Sequence, residues 1–289
     1  MTRRSNVACF ALMFARGFVA FYCWFHGRLH LPGAGWLLRR LAQVLPALRD
    51  YPLTIPGTGV ARLDLRDTAA YSLLNWHLRE RDDHAGMVAL IERCLPPAAV
   101  VWDVGANVGR VSLELSRSLK RPAAIHAFEP APGPRRTLES LFAGHPTVHV
   151  HAFGLAAEDS ELTIQTCPDN SSLNSLTSPL PRATEAVRVQ LRSADRWREE
   201  FGLPAPHVIK MDVEGFEPQA FAGLARTVAQ AQPIIFYEHI LLTEEAIRRL
   251  TPPGYTLRFL ADDGRLSADF SQRRFGHDAV LTPPGVSLE

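Results

Sequence analysis

The chain has 289 residues, of which 46% are hydrophobic and 21% charged. These are the proportions of a folded globular chain, and they exclude disordered, collagen-like and low-complexity classes. The 31 basic and 30 acidic residues leave a net charge of +1, which argues against a nucleic-acid partner held by bulk charge. The four cysteines, Cys9, Cys23, Cys94 and Cys167, form no C-x-x-C pair. A disulfide framework or a thiolate zinc site is therefore not expected, and they read as buried small hydrophobes.

Val7 to Phe25 is mostly apolar and follows Arg3 and Arg4. Its length approaches that of a spanning helix, but Arg16 falls in the middle, where a charge costs ~2.5–3.5 kcal/mol on insertion scales. No small-residue cleavage site follows. Trp36 to Leu45 is amphipathic, with Arg39 and Arg40 on one side. Residues 1–50 therefore read as a helical extension, packed on a neighbour or lying on a membrane surface in peripheral contact. The expected location is the cytoplasm. Pro52 to Gly59 reads as a turn-rich boundary, and residues 51–289 as the main domain.

From Val60 to Leu65 the alternation is that of a half-buried strand. Asp67 to Leu95 reads as helix with a break near Arg81 to His84, stopped by Pro96-Pro97. Strands and helices then alternate. Strands are expected at Val100–Val104, Ala123–Phe128, Val148–Phe153, Val208–Asp212, Pro233–Glu238, Tyr255–Leu260 and Asp278–Leu281. Helices are expected at Arg110–Leu119, within Pro130–Phe142, at Pro218–Ala229 and at Thr243–Leu250. Glu161–Thr166 and Val187–Arg192 read as an antiparallel pair around a polar loop. The pattern predicts an α/β fold, a mainly parallel sheet with helices on both faces. Ligands in such sheets bind beyond the carboxyl ends of the strands.

The first parallel strand runs into Asp103-Val-Gly-Ala-Asn-Val-Gly109. Gly105 and Gly109 allow a sharp turn and close approach of a ligand. The spacing is not G-x-G-x-x-G, and no G-x-x-x-x-G-K-[ST] occurs, which excludes a P-loop. Asp103 would repel a pyrophosphate and suits a cationic amine. The second strand ends in Phe128-Glu129-Pro130, where an acidic side chain can accept from a ribose hydroxyl pair. An ordinary turn and a helix N-cap are the bland readings of the two motifs. Together they describe an adenosine ligand with a positive or neutral tail. A dinucleotide-binding oxidoreductase is the rival enzyme, disfavoured by Asp103 and the missing glycine fingerprint. A non-catalytic adenosyl-ligand-binding module is the rival outside enzymes.

Val101-Trp-Asp-Val-Gly-Ala-Asn-Val-Gly109, Ala127-Phe-Glu-Pro130, Ile209-Lys-Met-Asp-Val-Glu-Gly-Phe-Glu217 and Gly223 resemble the FkbM family of methyltransferases over about Val60 to Pro283. The resemblance implies a Rossmann-like methyltransferase fold with a seven-stranded sheet whose last strand is antiparallel. It implies S-adenosyl-L-methionine as methyl donor and a hydroxyl of a carbohydrate or natural product, a small-molecule or glycan acceptor, as the site of O-methylation. By position, Asp103, Gly105, Ala106, Asn107 and Gly109 would surround the methionine part. Glu129 with Pro130 would hold the ribose, and Phe153 and Gly154 would lie near the adenine. The family often carries Glu where this chain has Asp83.

The last constellation is Lys210, Asp212, Glu214 and Glu217, with Glu238 and His239 after a later strand. Lys210 and Asp212 share one face of a strand. An alcohol loses its proton as it attacks a methyl group, so a positioned base helps by about 10²–10⁴-fold. Asp212, Glu214, Glu238 and His239 are the base candidates, and Lys210 would remain charged beside them. A structural ion-pair network is the bland reading. The carboxylates also admit a hard divalent cation, which is not the favoured reading. The polar loop offers Asn170, Ser172, Asn174 and Ser175 as hydrogen-bonding groups toward an acceptor.

Overall fold

A computed structural model describes residues 17–19, 21–22, 34–79, 84–119, 123–173, 185–261, 264–271 and 278–288. Asp83, Asn174, Ser175 and most of the Val7–Phe25 stretch lie outside them. Of that stretch, 17–19 and 21–22 are helical. The amphipathic segment forms helix α1 (Ala34–Val44). No described helix is long and apolar enough to cross a membrane.

The Pro52–Gly59 segment is not simply a boundary. Tyr51–Ile55 forms strand β1 and Gly59–Leu63 forms β2, an antiparallel hairpin in which Pro52 pairs with Arg62. A two-stranded ribbon has free edges on both sides, so a proline without an N–H is tolerated there. Helices α2 (Thr68–Arg79) and α3 (Ala85–Cys94) follow; of the expected break near Arg81 to His84, all but His84 lies outside the described residues.

The central sheet is built from β3 (Ala99–Val104), β4 (Ala123–Phe128), β5 (Val148–His151), β9 (Val208–Met211), β10 (Ile234–Glu238), β11 (Thr256–Leu260), β12 (Leu266–Ser267) and β13 (Asp278–Thr282), in the order β12-β11-β13-β10-β9-β3-β4-β5. Strands β10, β9, β3, β4 and β5 are parallel, and β13 is antiparallel to both β10 and β11. This is the expected mainly parallel sheet with an antiparallel last strand. Two-residue β12 at the edge makes it eight-stranded rather than seven. All six residues of β3 are buried, as a continuous apolar run covered on both faces should be. Val101, Ile125 and Val208 pack into one core, while Val100, Trp102, Val104 and Ile209 pack into a second on the opposite face.

A smaller sheet, β6-β8-β7, joins Gly154–Leu155, Glu185–Arg192 and Ser160–Thr166. The expected antiparallel pair is β7 with β8. The third parallel strand stops at His151, because Gly154–Leu155 leaves to pair with β8. Pro218–Ala229 is two helices, Glu217–Gly223 and Ala225–Ala231. Gly223 packs so closely on the Ala156 carbonyl that a Cβ would sit 1.9 Å from it. A helix absent from the sequence reading, Ala194–Phe201, follows β8.

The described residues before Tyr51 enter the main core. Val19, Tyr22, Leu38, Ala42 and Leu48 are buried in the same cluster as β1, β2 and one face of the sheet. The Tyr22 and Tyr71 hydroxyls lie 2.8 Å apart.

Candidate active site

Strand order reverses between β3 and β9, since β4 and β5 lie on one side and β10 and β13 on the other. The carboxyl ends of the parallel strands at such a point open onto a crevice. A cavity of about 700 Å³ lies there, lined by the segments following β3, β4, β5 and β9 and by Glu238 at the end of β10. That volume is within the range of small-molecule and cofactor sites.

The turn after β3 is shaped by backbone contacts. Gly105 has φ +80°, and a Cβ on it would sit 1.8 Å from the Asp212 carbonyl oxygen. The Gly105 and Ala106 amides both donate to the Phe128 carbonyl, at 3.0 and 2.9 Å. Asn107 is also left-handed, with φ 50°. Its amide donates to Glu129 Oε2 at 2.9 Å, and the Ala131 amide donates to Glu129 Oε1 at 2.7 Å. Each carboxylate oxygen keeps a second acceptor position. Burial pushes the Glu129 carboxyl up to about 7, against the pull of the two amides.

The second half of the site lies beyond β9 and β10. Register places Lys210 beside Asp103 of β3 and Phe236 of β10. The Lys210 ammonium is buried and donates to Asp212 Oδ2 at 3.0 Å. Burial works against its charge, but the Asp212, Asp103 and Asp278 carboxylates outweigh that and hold its pKa above the usual lysine value. Burial and the Asp212 and Glu217 charges push Glu214 up to about 7. Burial and the Asp212 and Glu214 charges push Glu238 up to about 8. Carboxylate oxygens of Asp212, Glu214 and Glu238 lie within 4.8 Å of one another. Such a group could share a hard divalent ion, although Lys210 already supplies a cation to it.

Gly105, Ala106, Asn107, Glu129, Pro130, Gly154, Lys210, Asp212, Glu214 and Glu238 thus converge on one cavity. Five other expected site residues do not line it. Asp103 is fully buried beneath the turn, where Ser112 Oγ donates to its Oδ2 at 2.6 Å. Burial pushes its carboxyl up, opposed by Lys210 and Ser112. Gly109 starts the helix Arg110–Ser118, and a Cβ there would strike Leu138. Phe153 belongs to an aromatic cluster with Phe128, His151 and Trp197. His239 is buried edge-on to Phe259. Glu217 closes its own loop, with Oε1 accepting the Val213 and Gly215 amides at 3.2 and 3.4 Å.

The sequence reading missed several lining residues, among them Ser72, His84, Arg110, Ser171 and Asp278. Arg110 and His84 both bond the buried Glu114, at 3.2 and 2.9 Å, and Arg110 also donates to Ser72 Oγ at 3.0 Å. The Ser171 hydroxyl donates to Asp67 at 2.7 Å. From the polar loop Ser172 lines the cavity as well. Asp278 stands opposite Glu238 across β10 and β13. Its one sequence signal was an acidic residue opening an expected strand.

Residues 103–262 match the model of the methyltransferase FkbM domain. The chain is 24% identical over 177 residues to the hexuronic acid methyltransferase AglP of Haloferax volcanii, covering 61% of this chain and 70% of that one. It is 26% identical over 166 residues to the 2-O-methyltransferase NoeI of Sinorhizobium fredii, covering 52% of this chain and 65% of that one. Among solved structures, the methyltransferase FkbM from Methylobacillus flagellatus KT superposes with a TM-score of 0.43 at 17% identity, over 74% of this chain and 53% of that one. With the domain model matched across more than half of this sequence, from the last residues of β3 to just past β11, the chain belongs to the FkbM methyltransferase family.

Proposed function

We propose that this protein is an S-adenosyl-L-methionine-dependent O-methyltransferase whose acceptor is an electrically neutral, hydroxyl-rich carbohydrate or natural product. The observation that carries this reading is the division of one cavity into two chemistries. Glu129 offers two remaining acceptor positions at the end of β4, and the Lys210–Asp212–Glu214–Glu238 group stands at the ends of β9 and β10.

The donor set fits the cofactor. The Glu129 oxygens can accept the two ribose hydroxyls, and the Gly105–Asn107 turn leaves room for close approach. The acidic residues around Asp212 suit a sulfonium charge. When bound, S-adenosylmethionine supplies an electrophilic methyl group and a neutral sulfide as leaving group. The chain's own task is then to orient the acceptor and to take its proton. Glu214 and Glu238, held near neutrality, are matched in basicity to that task. Asp212, fixed by Lys210, sits among them, with its carboxylate oxygens within 4.8 Å of theirs.

The same wall bears on the acceptor. Asp212, Glu214, Glu238 and Asp278 line the cavity, and Lys210, Arg110 and His84 line it as well. A carboxylate-bearing acceptor would meet like charge, whereas hydroxyls can donate to the wall. The relatives named for hexuronic acid and 2-O-methylation support the carbohydrate class. Incubation with labelled S-adenosylmethionine and paired neutral and uronic glycans, read by product mass, tests the proposal. Label should pass to oxygen of the neutral member, and exclusive methylation of the uronic member would overturn the acceptor reading.

A further inference from the structure

Helix α1 has two apolar faces, and the fold uses one of them. Leu38 and Ala42 are completely buried in the main core. Arg39 turns inward too, donating to Thr68 Oγ1 at 2.7 Å, and Gln43 reaches Asp169 Oδ1 at 3.1 Å. On the other side Trp36, Leu37 and Val44 are 58%, 50% and 70% exposed. At the helical repeat these three and Arg40 fall within an arc of about 100°. The Arg40 guanidinium lies 5.4 Å from the Trp36 ring centroid. Phe21, in the helical residues before α1, is 58% exposed as well.

The charge is as uneven as the apolar surface. The first 49 residues hold seven arginines and no Asp or Glu, so the rest of the chain is net −6. A tryptophan, aliphatic side chains and arginine on one exposed helix face form the pattern of an interfacial helix on anionic lipid. A second copy is the poorer occupant, because a two-fold contact on this face would set Arg40 against the Arg40 of the other copy.

We infer that the outer face of α1, through Trp36, Leu37, Arg40 and Val44, docks the protein on an anionic lipid surface. The helix lies in the surface and does not span it. Arg39 ties α1 to the start of α2, whose Ala69 and Ser72 line the cavity. Docking therefore holds the cavity wall close to the lipid.

Co-sedimentation of the full chain with vesicles tests this, using phosphatidylcholine alone and phosphatidylcholine mixed with phosphatidylglycerol. Binding to the mixed vesicles should be at least about ten-fold tighter than to phosphatidylcholine alone, and should weaken as salt is raised. Trp36→Ser with Val44→Ser, and separately Arg40→Glu, should each weaken it by about ten-fold or more. Phe201→Ser, at an exposed apolar residue of the helix Ala194–Phe201, which packs in the second core rather than in that of α1, should leave it unchanged. The altered side chains are exposed, so circular dichroism and melting temperature should not move; Leu37→Ser with Val44→Ser serves if the tryptophan variant fails to fold. No sedimentation with mixed vesicles, or equal sedimentation of the variants, would overturn the inference. So would a soluble dimer or a protein complex that forms through this face while vesicles are ignored.

Discussion

The Lys210 ammonium lies 3.0 Å from the Asp212 carboxylate and, through the pairing of β9 with β3, beside Asp103. Lys210 is 7% exposed and Asp212 35%. Removing the lysine leaves the buried Asp103 and the half-buried Asp212 without the ammonium between them. Lys210→Met should cost on the order of 3 kcal/mol, the lower end for breaking a buried pair because Asp212 is partly hydrated. Urea denaturation at neutral pH measures it, and a loss below about 1 kcal/mol would show the pair to be a surface-like contact.

The carboxylate group should control turnover rather than cofactor affinity. Asp212→Asn, Glu214→Gln and Glu238→Gln each keep the shape and remove a charge. At least one should lower kcat by ~10² or more while leaving cofactor binding nearly unchanged. Burial and neighbouring charge hold Glu214 near 7 and Glu238 near 8. A base works only when ionised, so kcat should rise with pH through about 7 to 8, and Glu238→Gln should shift that limb. Loss of activity on adding a chelator, restored by a divalent ion, would reassign the three as metal ligands.

Glu129 should act on the cofactor alone. Glu129→Ala should weaken S-adenosylmethionine binding by ~1.5–3 kcal/mol, the range for hydrogen bonds to a charged group. Its carboxyl is pushed up to about 7, and hydroxyl donors prefer the ionised form. Calorimetry should therefore find binding tightening as pH rises through 7, with Glu129→Gln removing that dependence. An affinity indifferent to both would remove the ribose assignment.

Gly105 is a packing requirement as well as a turn. A Cβ would sit 1.8 Å from the Asp212 carbonyl oxygen, and φ is +80°. Gly105→Ala should destabilise by roughly 2–4 kcal/mol, combining left-handed strain with overpacking. Thermal melting reads this directly, whereas Gly133→Ala, with open space around it, is the neutral comparison.

The residues before Tyr51 should matter to folding. Leu38, Ala42 and Leu48 are completely buried with β1 and β2. A chain beginning at Tyr51 exposes the surface they cover and loses the Arg39 bond to Thr68. It should melt well below the full chain or fail to fold. An unchanged melting temperature would show that residues 1–50 are an appendage.

Local chemistry made much of this protein legible in its sequence. Strand periodicity, the glycine turn at 105 and the acidic residues after successive strands are properties of short stretches, and they located β3, β4, β9, β10 and the cavity-lining Glu129, Asp212 and Glu238. Pairing between remote strands is different, because register is set by long-range packing and leaves no local trace. Only the tertiary structure set Lys210 beside Asp103 and Asp278 opposite Glu238. It moved Phe153 into an aromatic cluster and turned Pro52 into a strand residue, since a two-stranded ribbon has an edge to spare. It also decided which face of α1 is covered. An amphipathic pattern shows that a helix has two sides, but burying Leu38 while leaving Trp36 in solvent depends on what the rest of the chain brings alongside.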